Sequence, residues 1–254
     1  MMAAIVLCDL DDTLFSTRRK CPADVRSEDL TLSAWGSDGA PISYATPAQF
    51  RLTKWLENTA VMVPVTARST EALLRTSIAF DFAISAHGGV VLMRDTASGE
   101  RQVSPEWHGR MAAALLPCRA MLGDIVESVE RDAQQHGVSV RSRIVEEAGL
   151  PLYVVVKHGL TDGNDPELQR ACADTTARLP PGWTAHVNGN NVAYLPPGLG
   201  KAHAAAWLLP QLRALYPDRP AIGIGDSFTD AGFMQLCDFA MAPTGSQLAS
   251  KLFA

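Results

Sequence analysis

The chain has 254 residues, of which 47% are hydrophobic and 19% charged, and its formal net charge is −5. That apolar content predicts a folded protein, and the negative charge argues against a nucleic-acid partner. No apolar run approaches the roughly 20 residues that a membrane helix needs, and the N-terminus lacks the basic lead of a signal peptide. Five scattered cysteines without CxxC spacing favour reduced thiols in the cytoplasm over disulfides or a zinc site.

The first predicted element is a buried strand, the apolar run Ala4–Cys8, which ends in an acidic cluster at residues 9–12. Residues 16–45 contain glycine and proline and little periodicity, so we predict a long flap there. Thr46-Pro47 then begins a helix, because a capping residue followed by proline is typical of a helix start. The apolar run 61–65 is a second buried strand.

Two further helices begin at Ser104-Pro105 and Asp165-Pro166, and the first of these is expected to run to Gly137. Strand candidates are residues 90–93, 138–144, 152–156, 184–187 and 192–195, followed by the short apolar run Ala221–Ile224. This order predicts an α/β protein. We expect a Rossmann-like core with a parallel sheet, formed by residues 1–85 and 197–254, and an inserted α+β domain formed by residues 86–196.

Ligands bind at the carboxyl ends of strands in open parallel sheets, and the first polar feature at such an end is Asp-Leu-Asp-Asp-Thr at residues 9–13. Because side chains alternate along extended backbone, Asp9 and Asp11 can face the same side. Two close carboxylates can be driven to different protonation states, with Asp9 a nucleophile beside a cation and Asp11 a proton donor. The alternative is a solvated acidic turn.

The second feature is Val-Thr-Ala-Arg-Ser at residues 65–69. The hydroxyl of Thr66 and the free amides of this strand-to-helix junction suit phosphate oxygens, with Ser69 as the helix cap, although an ordinary turn is the alternative. The third feature is Lys201, which begins a helix. Since a lysine there opposes the helix dipole, we expect an anionic partner for it, unless it is simply an exposed lysine.

The fourth feature is Gly-Asp-Ser-Phe-Thr-Asp at residues 225–230. Asp226 ends a strand, Ser227 can cap the next helix, and Asp230 returns to the same side one turn later. Mg²⁺ takes one or two carboxylates together with substrate phosphate, so Asp9 and Asp226 are expected to meet around one Mg²⁺ ion. The alternative is an ordinary acidic helix start.

Taken in order, the four features resemble the four motifs of the haloacid dehalogenase superfamily. The resemblance implies a phosphatase in which Asp9 attacks phosphorus to form an aspartyl phosphate, while Asp11 protonates the leaving group and then activates water. It further implies three sets of supporting groups: Thr66, Ala67 and Lys201 for the phosphoryl oxygens, Asp9, Asp226 and the backbone carbonyl of Asp11 for Mg²⁺, and Ser227 and Asp230 to support the metal.

The inserted domain resembles the large cap of the Cof-like branch, and the GDSxxD and TARS forms lean toward its sucrose-phosphate-phosphatase-like members. This implies that the cap sets specificity for a small phosphorylated metabolite, with a phosphosugar expected. Asp12 and His87 depart from the common pattern, which has glycine and asparagine there. The side chains or backbone expected to contact substrate are Arg68, His87, Gly88, Lys157, Asn188 and Asn190, although the asparagines could instead form a tight hairpin turn.

Two other functions fit the same residues. A phosphomutase of the phosphomannomutase type shares this cap and an aspartyl phosphate. A non-catalytic binding protein on this scaffold is the other, but such relatives are expected to lose an aspartate or the lysine, and Asp9, Asp11, Lys201 and Asp226 are all present. The oligomeric state is not readable from the sequence.

Overall fold

The computed structural model describes residues 3–95, 98–160, 165–188 and 191–252. The chain forms two compact units, Met1–Trp107 with Gly200–Ala254, called here the core unit, and His108–Leu199, called the inserted unit. Residues 197–199, expected in the core, belong to the inserted unit, and residues 86–107 were expected in the insert. Residues 86–107 belong to the core unit, because strands at Val90–Arg94 and Arg101–Val103 pair in one sheet with Phe82–Ser85.

The described residues form strands and helices in mixed order, with several pairs or triplets of consecutive strands. The strands are β1 (Ala4–Cys8), β2 (Ser16–Thr17), β3 (Thr31–Trp35), β4 (Pro41–Ala45), β5 (Ala60–Pro64), β6 (Phe82–Ser85), β7 (Val90–Arg94), β8 (Arg101–Val103), β9 (Val140–Glu147), β10 (Leu150–His158), β11 (Thr184–Asn188), β12 (Asn191–Leu195), β13 (Ala221–Ile224) and β14 (Phe239–Met241). The helices are α1 (Pro47–Thr59), α2 (Thr70–Leu74), α3 (Pro105–Leu115), α4 (Arg119–Gln135), α5 (Asp165–Ala177), α6 (Lys201–Leu215), α7 (Phe228–Met234) and α8 (Ala249–Leu252). Within the described ranges, no helix is both long and apolar enough to cross a membrane.

A parallel sheet in the order β14-β13-β1-β5 forms the centre of the core unit. All five residues of β1 and of β5 are buried, as their continuous apolar runs predict. A parallel bridge between Val65 and Ile84 extends the sheet to β6. The carboxyl ends of β13, β1 and β5 therefore lie side by side at one edge.

The predicted flap is a small antiparallel sheet in the order β2-β4-β3 rather than an irregular loop. The register between β3 and β4 shifts at two points. For this reason the sequence lacks the strict alternation of apolar and polar residues that would have indicated strands. Ala34, Ser43 and Ala45 are buried, which ties the flap to the core unit.

The inserted unit contains an antiparallel sheet in the order β11-β12-β10-β9. The helix expected from Ser104 to Gly137 is two helices, α3 and α4, separated by a short 3-10 turn at Leu116–Cys118. Pro117 lacks the backbone N–H that a continuous helix needs, which explains the break. β11 and β12 form the hairpin that the asparagines suggested, with Asn188 opposite Asn191, and Asn190 itself lies outside the described residues.

A tight backbone contact joins the segment after β6 to the start of α6. Ala86, His87 and Gly88 all have positive φ, at 50°, 57° and 98°. A Cβ on Gly88 would lie 2.3 Å from the backbone oxygen of Gly200, so the contact requires glycine. Gly88 therefore sets how closely this segment approaches the residue before Lys201.

We predict that Gly88→Ala destabilises the protein by about 2 kcal/mol or more, because the new methyl group meets rigid backbone as well as an unfavourable φ. Gly39→Ala is the matched control, since Gly39 has a φ of 78° but no atom within 4 Å of an added Cβ. Urea unfolding of both variants would measure the difference, and equal losses of stability would show that the contact at Gly200 does not matter.

Candidate functional site

The parallel sheet brings three sequence features to one edge. The amide of Asp9 donates to the backbone oxygen of Ile224 at 2.8 Å, and the amide of Val65 donates to the oxygen of Cys8 at 2.8 Å. Asp226 and Thr66 each follow one of those flanking strands closely. These side chains, separated by more than 50 residues in the sequence, therefore emerge next to each other at the carboxyl ends of the strands.

Lys201, the first residue of α6, has the anionic partners that its position predicted. Its Nζ lies 2.6 Å from Oδ1 of Asp9 and 2.8 Å from Oδ1 of Asp230. The three side chains are 10%, 7% and 0% exposed, so this is a buried ion cluster. Burial by itself would lower the pKa of Lys201, but the two carboxylates outweigh it and hold that pKa above its ordinary value. Lys201 is a fixed positive charge.

Asp9 and Asp226 meet, as the sequence predicted. One carboxylate oxygen from each, together with one from Asp230, lie within 4.8 Å of one another. The hydroxyl of Thr13 is 3.3 Å from both Oδ2 of Asp9 and Oδ1 of Asp226. Burial is the main cause that raises the pKa of Asp9 to about 7 and that of Asp226 to about 6, and repulsion from Asp230 adds to both shifts.

This cluster fits a hard divalent cation. Three carboxylates share one ammonium, so two negative charges remain uncompensated when all three are ionised. Carboxylate oxygens are the ligands that Mg²⁺ prefers. A cation beside Asp9 and Asp226 would offset the burial that raises the pKa of both groups.

Asp230 has its oxygens occupied by protein donors. Oδ1 accepts from Lys201, and Oδ2 accepts both from the hydroxyl of Ser227 at 2.6 Å and from its amide at 3.1 Å. Burial would raise the pKa of Asp230, but Lys201 and Ser227 together hold it below its ordinary value. The geometry makes Asp230 an ionised anchor for Lys201, with Ser227 orienting it.

Asp11 is held by Arg68 and not by the Lys201 cluster. Nε and Nη2 of Arg68 lie 2.7 Å from Oδ2 and Oδ1 of Asp11, a two-bond pair of the geometry that guanidinium and carboxylate favour. The guanidinium also lies 5.0 Å from the ring centroid of Phe15, and Nη2 donates to the hydroxyl of Ser43 at 3.3 Å. Arg68, expected at the substrate, thus links Asp11 to the flap.

The turn after β5 presents a hydroxyl and a free amide. Thr66 is buried, and its Oγ1 accepts from the amide of Arg68 at 3.1 Å. Its backbone oxygen accepts from the amide of His87 at 3.2 Å, so the strained segment after β6 supports this turn. Within the described part of the chain, the amide of Ala67 has no hydrogen-bond acceptor, which leaves it available to a ligand.

The residues expected at the substrate are divided between the units. Arg68, His87 and Gly88 belong to the core unit, whereas Lys157 and Asn188 belong to the inserted unit. Sequence reasoning gave no role to Thr13, although it closes the first motif and its hydroxyl contacts two carboxylates. It also missed Ser43, because nothing in the flap sequence indicates which residue reaches Arg68.

No protein-family model matches this chain, and no curated protein matches it significantly. Solved structures do match. The sucrose-phosphatase from Synechocystis sp. PCC6803, in complex with sucrose and phosphate, is 13% identical and has a TM-score of 0.57, with 99% of this chain and 96% of that chain covered.

Two further matches support the same fold. A truncated IMP-nucleotidase from Plasmodium falciparum is 12% identical, with a TM-score of 0.55 and coverage of 95% of this chain and 66% of that chain. A haloacid dehalogenase-like hydrolase from Bacillus subtilis is 16% identical, with a TM-score of 0.50 and coverage of 100% and 86%. At these identities the comparisons establish the fold: the chain has the haloacid dehalogenase-like α/β core with an inserted α+β unit.

We predict that Mg²⁺ raises the melting temperature more at pH 8 than at pH 5.5. The pKa values of Asp9 and Asp226 are higher in the folded state than the ordinary value of about 4, so protonation of these groups stabilises the fold. That contribution is present at low pH and is lost as the pH rises through about 6 to 7. Mg²⁺ must displace those protons, and its stabilising effect therefore grows with pH.

Thermal unfolding in EDTA and in Mg²⁺ at both pH values measures this effect. Asp226→Asn is expected to abolish most of the Mg²⁺ shift, whereas Asp24→Asn, at an exposed position in the flap, is expected to keep it. An Mg²⁺ shift that is the same at pH 5.5 and pH 8 would contradict the assignment of these carboxylates.

Proposed function

We propose that this chain is an Mg²⁺-dependent phosphomonoesterase of the haloacid dehalogenase type that hydrolyses a small phosphorylated metabolite. The observation that carries the proposal is the contact of Lys201 with Asp9 at 2.6 Å, with Asp226 close by, at the carboxyl ends of parallel strands. A fold shared with a sucrose-phosphatase and an IMP-nucleotidase supports it. A pure binding role would not require this costly buried cluster.

Asp9 is the proposed nucleophile. One of its oxygens forms a bond to phosphorus as the bond from phosphorus to the leaving oxygen breaks, and the product is an aspartyl phosphate. Lys201 and Thr13 contact the two carboxylate oxygens of Asp9 and limit its rotation. Positioning and charge neutralisation are most of what phosphoryl transfer demands from a protein.

Asp11 is the proposed acid and base. It gives its proton to the departing oxygen in the first step, and in the second step it takes a proton from the water that attacks phosphorus. This second step releases inorganic phosphate and restores Asp9. Because both carboxyl oxygens of Asp11 accept hydrogen bonds from Arg68 in the structure, one of these bonds must break before an oxygen of Asp11 can carry the proton that it donates. Arg68 is therefore proposed as a positioning residue that holds the carboxyl group between the two steps.

The phosphoryl oxygens are proposed to bind Thr66, the amide of Ala67 and Lys201. The hydroxyl of Thr66 accepts one hydrogen bond from protein and keeps its own proton to donate. Such preorganised donors stabilise the charge that develops on a transferring phosphoryl group.

Mg²⁺ is proposed to be held by Asp9, Asp226 and the backbone carbonyl of Asp11, with Ser227 and Asp230 behind them. The ion would neutralise phosphoryl charge and polarise the phosphorus–oxygen bonds. The raised pKa values of Asp9 and Asp226 support this site, because a bound cation would lower both of them.

The inserted unit is proposed to act as the cap that selects the substrate, and a sugar phosphate is the substrate class we favour. The similar sucrose-phosphatase, which binds sucrose and phosphate, supports this class. Residues proposed to take part are Arg68, His87, Gly88, Lys157, Asn188 and Asn190. The five free cysteines support a reducing compartment, and we propose the cytoplasm.

We predict that Asp9→Asn lowers hydrolysis of an aryl phosphate in Mg²⁺ by about a thousandfold or more, because the amide is a poor nucleophile. Asp24→Asn is the matched control, because Asp24 is exposed in the flap and the substitution makes the same change from carboxylate to amide away from the cluster. The control is expected to stay within a few-fold of wild type. Circular dichroism would establish that both variants fold, and a folded Asp9→Asn protein with undiminished turnover would refute the nucleophile.

We also predict that sugar phosphates give a kcat/KM at least about tenfold above that of inosine monophosphate, a difference of about 1.4 kcal/mol in transition-state binding. A panel of phosphorylated metabolites, with inorganic phosphate release as the readout, tests this. A preference for the nucleotide would move the proposal to a nucleotidase without altering the chemistry at Asp9.

A further inference from the structure

The sheet of the inserted unit has two chemically different faces. Val154, Val156 and Val192 lie in the apolar cluster formed with α4 and α5. Because side chains alternate along a strand, Val155 and Lys157 belong to the opposite face. That second face is the one on which polar side chains can meet a ligand.

Three cations lie together on the second face. Arg141 is directly opposite Lys157 in the pairing of β9 with β10, and Arg143 is directly opposite Val155, one step along the same ladder. All three cationic side chains belong to exposed residues. Like charges placed opposite each other destabilise a sheet. The pKa of Lys157 is lowered, first because partial burial removes water from its ammonium group. The nearby positive charges of Arg143 and Arg141 lower that pKa further.

The three cations have no carboxylate partner among the described residues. Across the described ranges, none of them forms an ion pair, and the hydrogen bond from Arg141 to the backbone oxygen of His158 is long, at 3.5 Å. By contrast, Arg178 in the same unit forms an ion pair with Asp132 at 2.7 Å. An arginine with a structural role in this unit therefore has a carboxylate partner. Among the described residues, these three cations therefore lack the kind of carboxylate partner that Arg178 has.

The positions of β12 opposite Val155 and Lys157 carry short side chains. Val155 lies opposite Ala193 on β12, and Lys157 lies opposite Asn191. Short side chains thus adjoin the cations on the side of β12. A guanidinium presents paired donors that match the two oxygens of a carboxylate or phosphate, and an ammonium adds a point charge.

We propose that Arg141, Arg143 and Lys157 bind a small organic anion through a carboxylate or phosphate group. The anion has two candidate sources. In the first, the anion is a second charged group on the substrate, and this alternative rests on the proposed phosphatase function. In the second, the anion is a separate regulatory ligand, and this alternative is independent of that function.

The direct test is binding of malonate to the full chain at constant ionic strength, measured by calorimetry after divalent cations and EDTA have been removed by gel filtration. Arg143→Gln and Lys157→Gln are each expected to weaken binding by about tenfold, the effect typical of one lost charge-assisted contact. Arg143→Lys, which keeps the charge, is expected to weaken it less. Arg170→Gln on α5 is the matched control, because it removes an exposed arginine from outside the sheet, and it is expected to bind like wild type.

Kinetics in Mg²⁺ distinguish the two sources. Sorbitol 6-phosphate and 6-phosphogluconate are both open chains and differ at C1, which is a hydroxymethyl group in the first and a carboxylate in the second. If the substrate carries the anion, wild type prefers 6-phosphogluconate, and Arg143→Gln reduces that preference about tenfold while Arg170→Gln keeps it. If the ligand is separate, malonate changes kcat/KM for sorbitol 6-phosphate in wild type but not in Arg143→Gln.

The two proposals fail in different ways. Absence of turnover on every phosphate ester overturns the phosphatase function, whereas cation-dependent malonate binding in the same preparation still supports the anion site. Equal malonate binding by wild type, Arg143→Gln and Arg170→Gln, or no binding by wild type, overturns the anion site whatever the kinetics.

Discussion

The core unit is organised around one buried ammonium shared by two carboxylates. Lys201 begins α6, where its charge opposes the helix dipole, and it is almost removed from water. Such a charge is tolerated only with close partners, and Asp9 and Asp230 supply them from two other elements. The end of β1, the start of α6 and the first turn of α7 must therefore converge. The glycine contact between Gly88 and Gly200 also fixes the position of this helix start.

The same cluster carries more negative charge than the protein neutralises. Asp9 and Asp226 keep raised pKa values even though Lys201 lies beside Asp9. Stability alone would favour removal of one carboxylate, so the excess charge is better explained by function. A hard divalent cation would relieve that excess, and the anionic phosphoryl group of the proposed substrate would then bind to the cation and to Lys201. Burial, repulsion and the proposed chemistry therefore agree on one location.

The two units distribute apolar and charged surface differently. In the core unit the central strands are buried on both faces, and only their carboxyl ends present polar groups. In the inserted unit one sheet face is covered by helices while the other holds Arg141, Arg143 and Lys157. This division fits a protein whose core performs one fixed reaction while the insert recognises the variable part of a ligand, as proposed above.

Local sequence signals determined the buried strands, three helix starts and the four motif features, because apolar runs, caps and breakers act within a few residues. Thr46, for example, caps α1 together with Gln49, and Ser69 caps α2. The charge of Lys201 at a helix start was enough to predict an anionic partner. The tertiary structure alone decided which carboxylate each cation holds: Arg68 takes Asp11, and Lys201 takes Asp9 and Asp230. Only the tertiary structure showed that residues 86–107 belong to the core unit and that the flap consists of paired strands. These outcomes depend on pairing between distant segments, and the free energy of such pairing is not encoded in any short window of sequence.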